Sequence, residues 1–404
     1  MSRLTFVTPW FGPDIPGGME AETRRTIAQL QAAGFSVEVL TTCIRDFHAD
    51  WGKNFHKPGI DVVDGVTVRR FPVLPRDKAA FDAVNWRLMQ GLPITPEAEQ
   101  VYINEMFRCP ELYDHIRQTC RETIYFFIPY MFATTYFGAQ ICPERTAVIP
   151  CLHDESYAYL SLYRDVLPQV HTLILHVEAE RALADHLFGP AGRQARAVIG
   201  EGVDNDMRGD AARFRARFQI NEPFLLYAGR RDAGKNVPLL LEYWRQYAQD
   251  APKGMKLVLI GPGDIAIPPE AADSVVDLGF VSRQEKYDAY AAAAVLCQPS
   301  LNESFSLVVM ESWLAGTPVL VHGRCAVTRE HCQRSNGGLY FSNYPEFAAT
   351  LDYLQTHPAA ARQMGQNGRA YVLAHYQWPQ IISQYQQIIA TMQTEDAPHA
   401  ANRA

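Results

Sequence analysis

Short apolar runs alternate with helical segments in two successive series along this chain, and that alternation limits the folds open to it more than any other feature. In the first series "LTFVTP", the Gly- and Pro-dense "FGPDIPGG", "EAETRRTIAQLQAAG" and "SVEVLTT" read as strand, loop, helix stopped at Gly34, and strand. "GVTVRRFPV", "RTAVIPCLHD", "TLILHV" and "ARAVIG" add further strands. A second series follows the Arg-rich "DNDMRGDAARFRARFQINE": strands "PFLLYAG", "MKLVLIG", "SVVDLGF", "AVLCQPS" and "TPVLV", with helices "NVPLLLEYWRQYAQ" and "SRQEKYDAYAAA" among them. Near-continuous apolar strands separated by helices predict a parallel sheet covered on both faces. With 404 residues the chain is too long for one ordinary core. Two doubly wound α/β domains are therefore expected, over 1–204 and 205–375. A bend at Trp378 and Pro379 sets off a last helix over 376–394, and 395–404 reads as a disordered tail. Residues 76–121 mix aromatics, charges and prolines without a readable motif.

Composition removes several classes of function. The net charge of −7 argues against broad nucleic-acid binding. The eight cysteines (Cys43, Cys109, Cys120, Cys142, Cys151, Cys297, Cys325 and Cys332) contain no C-x-x-C pair, so they read as free thiols in a reducing cytoplasm and indicate neither a zinc site nor a disulfide framework. The apolar stretch before Pro9 is too short for a signal-peptide core. Residues 123–143 carry no charge, but Pro129, three threonines and three tyrosines make them a buried strand followed by a buried helix rather than a membrane span.

Chemistry concentrates in "NESFSLVVMESWLAGTPVLV", Asn302 to Val321. Strand "AVLCQPS" delivers the chain to a loop holding Glu303, and a helix beginning near 304–306 and ending at Gly316 carries Glu311. Ligands bind at the carboxyl edge of such sheets, and a helix start offers unpaired N–H groups to an anion. A pyrophosphate suits that place. Glu303 is positioned to accept hydrogen bonds from hydroxyls of an attached group, and Glu311 from a ribose. Two glutamates alone would be solvated surface acids. "YAGRRDAGKN" supplies Arg230 and Lys235 at the end of another strand, where both can neutralise a diphosphate leaving group.

The E-x7-E spacing of Glu303 and Glu311 followed by "AGTPV", the "GR....KN" segment and the early "PGG" loop together resemble the retaining glycosyltransferases of the GT-B fold, in the large family numbered four. The resemblance is strongest over residues 225–321. "PGGMEAE", "DGVTVRRFPV", "CLHDE" and "GEGVD" extend it into the first 205 residues, whereas 76–121 match nothing, as expected of a segment meeting a variable acceptor. It implies two Rossmann-like domains facing across a cleft, with C-terminal helices crossing back to the first and the nucleotide held mainly by the second. It assigns Arg230 and Lys235 to the donor diphosphate, Glu303 to the donor sugar, Glu311 to the ribose, and the amides of Ser306 and Leu307 to phosphate. Ser306 stands where the family often has glycine. His153, in "LHDE", matches a histidine facing the donor sugar, and Gly17 and Gly18 open the first helix where substrate approaches the backbone.

The implied enzyme moves a hexose-type sugar from a UDP- or GDP-linked donor, with retention, to a hydroxyl of a saccharide or lipid-linked glycan in bacterial cell-surface polysaccharide synthesis. It would work in the cytoplasm or in peripheral contact with the inner face of the membrane, with no cofactor beyond the nucleotide-sugar substrate. No metal is expected: "DND", Asp204 to Asp206, has the spacing of a cation motif but lies beside Arg208. A nucleotide-sugar epimerase shares this architecture. A glycosidase would use two carboxylates without the diphosphate cations, and a non-catalytic sugar-binding protein would need neither.

Overall fold

The strands of the first series are β1 (Arg3–Val7), β2 (Val37–Thr42), β3 (Gly59–Val63), β4 (Val66–Phe71), β5 (Thr123–Phe127), β6 (Thr146–Val148), β7 (Thr172–Leu175) and β8 (Ala195–Val198). They lie in the order β3-β4-β2-β1-β5-β6-β7-β8. All neighbours pair in parallel except β3, which runs antiparallel to β4. The second series gives β9 (Phe224–Ala228), β10 (Lys256–Ile260), β11 (Val275–Gly279), β12 (Val295–Gln298), β13 (Val319–His322) and β14 (Gly338–Phe341), in the wholly parallel order β11-β10-β9-β12-β13-β14. This computed structural model describes residues 3–394 apart from 14, 16, 207 and 251–253; the tail expected to be disordered lies outside the described residues.

Two units result. One runs to Gly202 and resumes at Pro379, and the other is Val203–Trp378. From Pro379 onward the helix Trp378–Thr394 belongs to the first unit, where the Tyr385 ring meets Phe126 of β5 at 6.0 Å. Each unit has its own core, built on Phe127, Leu173 and Tyr102 in the first and on Trp244, Leu257 and Phe347 in the second. In both sheets the chain leaves a central pair of strands in opposite directions: β1 continues to β2 while β5 continues to β6, and β9 continues to β10 while β12 continues to β13. Such a switch point opens a crevice at the carboxyl ends of the strands.

The uncharged 123–143 segment is core, as expected. Ile124, Tyr125, Phe126 and Phe127 are fully buried in β5, and the helix Ala133–Ala139 follows. No helix among the described residues is long and apolar enough to cross a membrane.

Residues 76–121, unread in the sequence, form three helices: Lys78–Met89, Pro96–Met106 and Pro110–Thr119. Asp77 and Thr95 cap the first two by accepting from the amides of Ala80 and Ala98. Pro96 and Pro110 stand in first turns, where the missing N–H costs nothing.

The cysteine reading needs correction. Cys120 and Cys142 are disulfide-bonded, with Cα atoms 6.0 Å apart. They sit just before β5 and just before β6, and the parallel pairing of those strands brings the two amino ends together across 22 residues of sequence. A search for close spacings misses such a pair, and free thiols no longer argue for a reducing compartment. Cys43, Cys109, Cys151, Cys297, Cys325 and Cys332 are free and buried.

Candidate active site

The loop leaving β9 is held in an unusual path. Gly229 has φ 154°, and a Cβ on Gly261, at the end of neighbouring β10, would lie 2.0 Å from the Gly229 carbonyl oxygen. Two glycines thus let the strand ends close on each other. The chain then turns through Arg230 and Arg231. Arg231 is buried against Asp277, whereas Arg230 is about half exposed and pairs with Asp232 at 3.2 Å. Asp232 also caps the short turn Ala233–Lys235 by accepting from the Lys235 amide at 2.9 Å. Asn236, in the left-handed region at φ 56°, donates its side-chain amide to the Pro299 carbonyl at 3.0 Å and so ties this loop to the one after β12. That tie places Lys235 over the second loop. Its Nζ donates to Glu303 Oε1 at 2.7 Å.

Glu303 follows β12, and its side chain is 9% exposed. Gln298, the last residue of β12, donates its amide to the same Oε1 at 2.9 Å. The helix Leu307–Leu314 then begins at Ser306, which adopts φ 76° and makes no side-chain cap, so no capping side chain occupies the amides at its start. Glu311 lies in this helix and is 6% exposed. The helix Arg283–Ala292 supplies both of its partners: Lys286 Nζ donates to Oε1 and the Tyr290 hydroxyl to Oε2, each at 2.8 Å. Burial, with Glu311 beside it, pushes the Tyr290 phenol well above its usual range, so it remains a donor.

Lys235 and Glu303 are therefore brought together, Arg230 stands on the same loop facing Asp232, and Glu311 occupies a separate ion pair eight residues on. Gln298, Lys286 and Tyr290 are absent from the sequence reading. The signal for the first was a polar residue closing an apolar strand; for the others it was an i, i+4 pair on one helix face.

The remaining expected residues lie in the first unit. Gly17 has φ 141° ahead of the helix Gly18–Ala32, and a Cβ there would collide with Glu20 at 1.9 Å, whereas a Cβ on Gly18 meets open space. His153 follows β6, about a third exposed, with Nδ1 3.2 Å from Glu155. The loop carrying it is anchored by Glu180, which accepts from the Leu152 amide at 2.7 Å and the His176 amide at 2.6 Å.

The His176 ring is buried between Glu22 (2.8 Å) and Glu180 (3.1 Å). Burial opposes its charge, but the two carboxylates outweigh burial and hold its pKa well above the ordinary value. Ligand atoms of Glu22, Cys151 and His176 lie within 4.8 Å of one another, a cluster already held together as an ion pair. The "DND" aspartates are likewise engaged: Arg283 reaches Asp204 at 3.4 Å and Asp206 at 3.1 Å, and Trp378 donates to Asp204 at 2.8 Å.

Comparison with known proteins bears on the family and the fold. The family model described as glycosyl transferases group 1 matches residues 210–371. A D-inositol 3-phosphate glycosyltransferase of Mycobacteroides abscessus is 26% identical over 329 residues, covering 75% of this chain and 69% of the relative. An alpha-monoglucosyldiacylglycerol synthase of Streptococcus pneumoniae is 29% identical over 147 residues, 35% of this chain and 33% of that protein. Among solved structures, sucrose-phosphate synthase from Thermosynechococcus elongatus superposes with a TM-score of 0.71 at 19% identity, covering 97% of this chain and 100% of that one. Anabaena HepE, solved with UDP and glucose, gives a TM-score of 0.68 at 14% identity with the same coverage. These last two establish the GT-B fold. The group 1 glycosyl transferase model thus matches the stretch that holds Glu303 and Glu311, and over those residues the chain is similar to that family.

Proposed function

We propose that the protein transfers a hexose-type sugar from a UDP- or GDP-linked donor to a hydroxyl of a saccharide or lipid-linked glycan, with retention, in the synthesis of a bacterial cell-surface polysaccharide. The observation that carries this reading is the ion pair of Lys235 with Glu303 at the β9–β12 switch point, on the loop that leads into the uncapped start of the helix bearing Glu311. A diphosphate there meets Arg230, Lys235 and the amides of Ser306 and Leu307, all of which favour negative charge on a departing phosphate. Glu303 orients the sugar through its hydroxyls. Glu311, with Lys286 and Tyr290 behind it, takes the ribose hydroxyls.

Nucleotide binding is assigned to residues 205–375. Acceptor and sugar recognition is assigned to residues 1–204, with Gly17, Gly18 and His153. In the step itself the bond from the anomeric carbon to the phosphate oxygen breaks while the acceptor oxygen bonds to the same face, and the leaving phosphate takes the acceptor's proton. A cytoplasmic setting, with peripheral contact at the inner membrane face, rests on the donor's chemistry alone.

The relatives support a nucleotide-sugar donor. Curated ones are named for sugar transfer, and HepE was solved with UDP-glucose in a second crystal structure. A thermal-shift screen of UDP-, GDP- and dTDP-sugars, followed by NMR of the product from the best donor, tests the proposal. Transfer to an added acceptor with an unchanged anomeric configuration is expected. Isomerisation of the donor without an acceptor would instead make the protein an epimerase.

A further inference from the structure

We propose that Gln298 is the positioning residue that fixes Glu303 for sugar transfer. This inference rests on the assignment of Glu303 to the transferred sugar. β12 lies inside the sheet between β9 and β13, and Val295, Leu296 and Cys297 are at most 1% exposed. A strand serving packing alone would close with another apolar side chain. It closes instead with Gln298, which is 4% exposed. The amide nitrogen points to Glu303 Oε1 at 2.9 Å and to the Ser306 hydroxyl at 3.4 Å, while Gln298 Oε1 is buried with no hydrogen-bond partner among the described residues. The amide cannot gain by turning over, since its carbonyl would then face a carboxylate. An orphaned buried acceptor is a standing cost to stability, and a methionine of similar shape would remove it.

The compensation is geometric. Glu303 Oε1 receives two donors, Lys235 Nζ at 2.7 Å and Gln298 Nε2, whereas Oε2 has no hydrogen-bond partner among the described residues. Oε2 is the oxygen left for a sugar hydroxyl. The two donors differ in kind. Lys235 is a flexible cation, 28% exposed, and a bound diphosphate draws it toward phosphate. Gln298 is neutral, anchored in a central strand, and indifferent to the phosphate charge. It keeps Glu303 in place once the donor has claimed Lys235.

Full-length Gln298→Met and Gln298→Leu test this against wild type through three readouts: melting temperature, UDP affinity by calorimetry, and kcat with the best nucleotide sugar. The expected result is a Tm equal to or above wild type, a UDP Kd within about twofold, and a kcat lower by about tenfold, as a slightly misplaced orienting group produces. Gln298→Glu should be inactive at neutral pH, where two carboxylates face each other, and regain activity as the pH falls and a shared proton restores the hydrogen bond. A lowered Tm or failure to fold in both the Met and Leu variants assigns Gln298 to packing and overturns the inference. Unchanged kcat in the Met and Leu variants of an active enzyme overturns it alone. Wild-type protein that neither binds a nucleotide nor turns over overturns the functional reading and this inference with it.

Discussion

Glu303 and Glu311 are met by different donors, and the roles proposed for them differ accordingly. Glu303 holds a lysine and a neutral amide on one oxygen, beside the place where the glycosidic bond breaks in the proposed reaction. Glu303→Gln should lower kcat by about 10²-fold, measured as initial rates at saturating donor, because its hydrogen bonds strengthen as the sugar flattens in the transition state. The spacing of these two glutamates is legible in the sequence because strand, loop and helix are consecutive. Their partners are not, since Lys286 and Gln298 reach them only through tertiary packing. His176 was equally hidden, and its ion pairs join residues as far apart as Glu22 and Glu180. Its raised pKa has a consequence with a definite sign. The charged ring stabilises the fold fully below its unfolded pKa of about 6.5, and that contribution is lost as pH rises through the higher folded value. His176→Gln should cost about 3 to 5 kcal/mol at pH 6, the usual penalty for breaking a buried pair. The gap in Tm between variant and wild type should narrow steadily as melts are repeated up to pH 9.

The helix Leu307–Leu314 shows what an element gives up for its site. Ser306 starts it in the left-handed region, where a side chain costs about 1 to 2 kcal/mol. Ser306→Gly should therefore raise stability by about 1 kcal/mol in denaturant melts, since the hydroxyl it removes accepts a long and weak hydrogen bond, 3.4 Å from the Gln298 amide. Strands with a continuous apolar run were readable from the sequence, β9, β10 and β12 among them, because both faces of a parallel sheet are buried. β3 was not. Its residues Gly59 to Val62 are exposed, and as an antiparallel edge it needs no apolar pattern. β14 escaped because it is an edge strand in which only Phe341 is fully buried, so Gly338–Phe341 carries no continuous apolar run. The helices within 76–121 had cap signals at Asp77 and Thr95, but Pro96 and Pro110 read as breakers when they are helix starts.

At the scale of the whole molecule, two series of apolar runs became two sheets, each with its switch point, and this much followed from the alternation in the sequence. The Cys120–Cys142 bond did not, because only the pairing of β5 with β6 brings those residues together. Transfer activity should survive EDTA. Asp204 and Asp206 are already paired with Arg283, and the diphosphate charge is assigned to Arg230, Lys235 and a helix start. Loss of turnover on chelation, restored by magnesium or manganese, would contradict this. The residues proposed to hold the nucleotide all lie within the continuous stretch Val203–Trp378, which has its own sheet and core. The central claim is that Glu311 serves the ribose and Glu303 the sugar. Calorimetric titration of UDP into folded full-length wild type, Glu303→Gln and Glu311→Gln tests it most directly, because UDP carries a ribose and no sugar. The account predicts near wild-type affinity for Glu303→Gln and a loss of about 1 to 3 kcal/mol for Glu311→Gln; weakened binding in Glu303→Gln with none in Glu311→Gln would contradict it.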